Sequence, residues 1–91
     1  MAKDQGVETQ FVSFEDGIDD EATFEGGCQG FYLSATADCF VDFDQPSDDG
    51  SFLIKANIAY PIFDFKGSNV QKVHVRGSTG SGNLHILGVR G

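Results

Sequence analysis

The residues that could do chemistry in this chain are two histidines, a set of clustered carboxylates, two cysteines and a glycine-rich loop. His74 and His85 each sit between apolar neighbours, in V-H-V and L-H-I. Opposite one another on paired strands they would form a cross-strand imidazole pair, sensitive to pH and able to begin a metal site. Zinc needs one or two more ligands, and neither Cys28 nor Cys39 falls on that face, so the pair reads as two exposed side chains. Asp42, Asp44, Asp48 and Asp49, and separately Asp16, Asp19, Asp20 and Glu21, offer hard oxygen donors near turns. An EF-hand loop needs Glu at its twelfth position, and counting from Asp44 that position is Lys55. The clusters therefore read as solvated turns or an electrostatic contact surface. Cys28 and Cys39 are too far apart for a metal knuckle and read as buried free thiols. Gly77–Gly82 contains G-x-x-G-x-G, but an apolar β-type segment follows it where a phosphate cradle requires a helix N-terminus. No G-x-S-x-G elbow and no serine or cysteine nucleophile motif is present. The expectation is a protein that is not an enzyme, with no cofactor, metal ligand or catalytic residue to name.

The elements that would carry these residues are strands. Residues 37–44 alternate cleanly: Cys39, Val41 and Phe43 on one face, Asp38, Phe40, Asp42 and Asp44 on the other. Further strands are expected over 7–14, 28–34, 51–55, 58–65, 70–76 and 83–89. Gly26-Gly27 reads as a break, residues 15–21 as an acidic loop and Gln45–Gly50 as a turn. Pro61 cannot donate to a ladder and marks an edge or boundary. Residues 70–89 read as a C-terminal hairpin in which Val75 faces Leu84, Val73 faces Ile86 and His74 faces His85. About seven short strands, with no helical periodicity, predict an all-β protein: a small antiparallel sandwich or barrel.

Length and charge bound the rest. Ninety-one residues make one domain, 1–91, with a polar N-terminal arm over residues 1–6. The net charge of −8 opposes nucleic-acid and anionic-membrane partners. Residues 1–49 carry 13 acids and one base, residues 50–91 five bases and one acid. If the acidic face of 38–44 and the basic Lys72 and Arg76 lie far apart, the molecule is a two-signed tile; if adjacent, their charges offset within one sheet. No apolar segment follows the N-terminus, so the expectation is synthesis in the cytoplasm without a signal peptide.

Ala37–Phe43 (A-D-C-F-V-D-F), Phe52–Lys55 (F-L-I-K), Ile62–Phe65, Val73–Arg76 (V-H-V-R) and Leu84–Arg90 (L-H-I-L-G-V-R) together resemble small all-β virion structural proteins of tailed bacteriophages. The similarity spans residues 36–90 and rests on strand and glycine pattern. It implies a sandwich or jelly-roll-like fold and a capsid decoration (cement) protein that stabilises the head shell, located on the virion surface. Its partners would be the major capsid protein, copies of itself, or both, as a homo-oligomer. The alternatives are a tail, tail-tip or connector component and, in another class, a calcium- or glycan-binding β module. The residues expected at an interface are Phe11, Asp38, Phe40, Asp42, Asp44, Tyr60, Lys72 and Arg76.

Overall fold

Alternation of apolar and polar residues builds eight strands in the computed structural model, which describes residues 6–48, 50–63 and 69–90. They are β1 (Val7–Phe14), β2 (Asp20–Cys28), β3 (Gly30–Ala35), β4 (Cys39–Phe43), β5 (Phe52–Ile54), β6 (Tyr60–Phe63), β7 (Val70–Gly77) and β8 (Gly82–Val89). They form two four-stranded antiparallel sheets, ordered β1-β8-β3-β6 and β2-β7-β4-β5. The ladders β1·β8, β2·β7, β3·β6 and β4·β5 are the pairs made by wrapping one long antiparallel ribbon around a core, which is jelly-roll topology. The all-β sandwich expected from the sequence is the fold of the protein.

Each sheet turns one side inward. Val12 and Phe14, Phe31, Leu33 and Ala35, and Leu84 and Ile86 come from the first sheet. Ala22 and Phe24, Val73 and Val75, Cys39 and Val41, and Ile54 come from the second. Full burial of a Phe, Leu or Ile side chain contributes roughly 1.5–3 kcal/mol, so this shared core is the main source of stability.

Three expectations are corrected. The segment 70–89 is not a hairpin: β7 and β8 lie in opposite sheets, joined by an arch through Ser78–Ser81. Val73, Val75, Leu84 and Ile86 do meet in one core, but across the sandwich. His74 and His85 consequently face away from each other on opposite sides of the molecule. An eighth strand, β2, occupies the stretch read as acidic loop and glycine break. Gly26 and Gly27 sit inside it at φ 82° and 77°, where the register to β7 shifts, so they form a bulge rather than an end. The strand expected over 58–65 is β6 at the sheet edge, Pro61 within it, as its missing N–H requires. Residues 64 and 65, and the arm up to Gln5, lie outside the described residues.

At Gly88 the packing leaves no room for a side chain. A β-carbon there would stand 2.7 Å from Cys28 Sγ and 3.0 Å from the Phe24 ring. Gly88→Ala should therefore destabilise the fold by about 1–3 kcal/mol through overpacking, read from urea denaturation. Gly80→Ala, with no atom within 4 Å of the new methyl, is the control expected to change little.

Candidate interaction surface

The outward positions of the two sheets differ in chemistry. On the second sheet they are Glu21, Thr23 and Glu25 of β2, Lys72, His74 and Arg76 of β7, Phe40 and Asp42 of β4, and Leu53 of β5. The pairings Asp42↔His74 and Glu21↔His74 bring acidic and basic residues side by side, while Arg76 lies opposite Phe40. The acidic strand and Lys72 and Arg76 thus lie in one sheet and do not form two separate charged faces.

The acids there are engaged by the protein itself. Asp38 accepts from Ala56 N at 2.8 Å and pairs with Lys55 at 3.3 Å, and these contacts hold its carboxyl below the usual range. Asp44, at φ 57°, accepts from Gln71 N and Lys72 N at 3.0 and 2.8 Å. Lys72 pairs with Glu21 at 3.2 Å. Asp42 accepts from Phe43 N, Gln45 Nε2 and Ser51 Oγ, each at 2.9 Å. Tyr60 turns inward, packs against the core and its hydroxyl accepts from Lys55 N at 3.2 Å.

His74 is 6% exposed, with Asp19, itself bonded by Ser47 of the β4–β5 connection, against its ring. Its Nδ1 lies 2.9 Å from Asp19 Oδ2 and its Nε2 3.7 Å from Glu21 Oε1. Ser47, also buried, donates to Asp19 through its N–H at 2.9 Å and through its hydroxyl. Although Ser, His and Asp are all present, the carboxylate stands between serine and imidazole. The serine hydroxyl is directed to Asp19 rather than to the imidazole, so the cluster lacks the serine–histidine contact of a triad and ties down a loop.

The first sheet presents a different face. Its outward residues are Val7, Thr9, Phe11 and Ser13 of β1, Asn83, His85, Leu87 and Val89 of β8, Gly30, Tyr32 and Ser34 of β3, and Pro61 of β6. No Asp, Glu, Lys or Arg occurs among these described positions, although the chain has 14 acids and six bases. Phe11 is 72% exposed and stacks on His85 with ring centroids 4.1 Å apart. Beside it runs an apolar groove of about 230 Å³, lined by Thr9, Phe11, Tyr32, Ser34, His85 and Leu87 among others. Glu8 turns to the other side of β1 and pairs with Arg90, which also donates to Glu25 O. Of the residues expected at an interface, only Phe11 lies on this face. The others lie on the opposite sheet or in its loops, or turn inward. The face follows from adjacency of β1, β8 and β3, which alternation within each segment does not reveal.

Two outcomes follow. Burial pushes the Asp19 carboxyl up, but hydrogen bonds from Ser47 and His74, with the imidazole's charge, hold it below its ordinary value. Burial likewise pushes Asp42 up, and bonds from Gln45, Phe43 N and Ser51, with the charge of His74, hold it down. A carboxyl depressed on folding contributes stability above its unfolded value of about 3.9, lost as pH falls through the folded value. The urea midpoint should thus decline below about pH 4, and Asp19→Asn should lower it at neutral pH while flattening that acid decline. Burial, aided by the charge of Asp38, pushes the Cys39 thiol up to about 12, and Cys28 is raised mainly by burial. Both thiols are free and buried, so a thiol reagent should label neither in the native protein and both in urea.

Compared with known proteins, the chain matches no family model, no curated protein and no solved structure.

Proposed function

We propose that this protein is a structural component of a tailed-phage virion, a decoration protein that seats on the head shell and strengthens it. The observation that carries this reading is the uncharged outer face of the β1-β8-β3-β6 sheet, studded with Val7, Phe11, Tyr32, Leu87 and Val89. An exposed, contiguous apolar surface on a small domain marks a protein contact, and burying it supplies binding energy without chemistry. Jelly-roll topology and the strand pattern of residues 36–90 support the same assignment. The partners are the major capsid protein and further copies of this chain, and the place is the virion surface. Each copy adds a modest contact, and repetition over the shell multiplies it.

Capsids lacking the protein, mixed with it to saturation, should rupture at a higher temperature than undecorated ones. Phe11→Glu should lower occupancy, because a buried unpaired carboxylate opposes the contacts this face makes with neighbouring copies on the shell. Equal rupture temperatures at full occupancy would overturn the assignment. Copies in the hundreds per particle would favour the shell, whereas a few copies would point to the tail.

A further inference from the structure

The uncharged face has a partner that its chemistry identifies. We infer that it is the contact between two copies of this chain, packed sheet to sheet about a two-fold axis. This deepens the reading of that face as a contact surface and names what covers it.

Charge is the first argument. A basic partner would be recognised by acids, and a chain with 14 of them places none at the described outward positions of this sheet. An anionic partner, lipid surface included, is repelled by the net charge of −8. Two copies of one acidic molecule repel wherever acids face acids, and they meet without that cost only through a surface from which acids are excluded. On the other sheet the outward acids Glu21 and Asp42 are already engaged by Lys72, Gln45 and Ser51 of the same chain, and a contact made there would have to displace or bury those polar pairs.

Shape is the second argument. An isologous contact needs projection and recess on one patch. Phe11 projects, 72% exposed, next to the groove of about 230 Å³. A cavity of roughly 150 Å³ accepts a benzene ring, so the groove has room for a phenyl group from the facing copy. Strands of eight, eight, six and four residues about 4.8 Å apart make a face of roughly 400 Å² per copy before side-chain relief. Two such faces bury about 800 Å² together before side-chain relief is counted, the size of a weak, concentration-dependent contact. Aligned packing of two antiparallel sheets about 10 Å apart is a standard solution for such faces.

The test is sedimentation equilibrium of the purified chain, free of any shell, from about 1 to 500 μM. The wild type should show a monomer–dimer equilibrium. Phe11→Glu and Leu87→Glu should each raise the dissociation constant at least about tenfold, while Thr23→Glu on the opposite sheet should leave it unchanged. Urea denaturation of each variant verifies that it folds. A wild type monomeric across the whole range, or a dimer indifferent to both face substitutions, overturns the pairing. A monomer that still saturates and strengthens capsids overturns the pairing alone and leaves the decoration reading standing. A dimer broken by Phe11→Glu that never binds capsids upholds the pairing and removes that reading.

Discussion

The sandwich depends on Phe31 of β3 standing between two phenylalanines of the opposite sheet. Its ring meets Phe24 of β2 edge-on at 5.4 Å and Phe43 of β4 in a stacked arrangement at 5.5 Å. β2 and β4 flank β7, so this seam spans three strands of one layer from a single residue of the other. Aromatic pairs of this geometry add about 0.5–1.5 kcal/mol each beyond the area they bury. The seam also explains why Gly88 lies in the adjacent strand: the Phe24 ring occupies the space a side chain there would fill. In a chain of 91 residues, with a small core, so few large side chains must fix the spacing and alignment of both layers.

What the amino-acid pattern revealed was facing, and what it concealed was neighbourhood. Alternation places Cys39 and Val41 inward and Phe40 and Asp42 outward, and the structure does the same. The pattern V-H-V-R followed by L-H-I also places Val73, Val75, Leu84 and Ile86 inward, correctly. A hairpin and an arch, however, bury the same four residues. They differ only in whether β7 and β8 share hydrogen bonds, and nothing local encodes that choice. The arch is set by distant partners: β7 pairs with β2 and β4, β8 with β1 and β3. β2 escaped notice for a related reason. Its outward residues, Glu21 and Glu25, and its glycine bulge mimic a loop, while its inward ones, Ala22 and Phe24, are too few to assert a period.

The charge distribution changes meaning once the strands are placed. Along the chain it divides N-terminal from C-terminal halves, and in space it divides sheet from sheet. The wrap interleaves the halves, so β7, with Lys72 and Arg76, lies between β2 and β4 with their acids. Pairs such as Lys72–Glu21 are exposed and each contributes at most about 1 kcal/mol. Their larger consequence is local neutralisation. Asp19, Asp42 and Asp44 are directed at protein donors, which ties the β4–β5 connection to Asp19 beside His74 and to Asp42. A surface so occupied with its own contacts has few free polar groups to offer a partner.

The remaining outer face carries the complementary property. Its apolar residues supply attraction that has no preferred direction, which on its own would produce disordered aggregation. Acids elsewhere on the molecule remove most approaches by repulsion and leave this one open. In the proposed dimer, association energy and association geometry would come from different residues: Phe11, Tyr32 and Leu87 for the first, the surrounding carboxylates for the second. An excess of acid over base is therefore compatible with assembly, provided it is absent from one face, and the alternation of β1, β8 and β3 keeps it absent. Shifting β1 by one residue would exchange Phe11 for Gln10 and bring Glu8 to that surface, so strand register specifies the make-up of this face as tightly as it specifies the core.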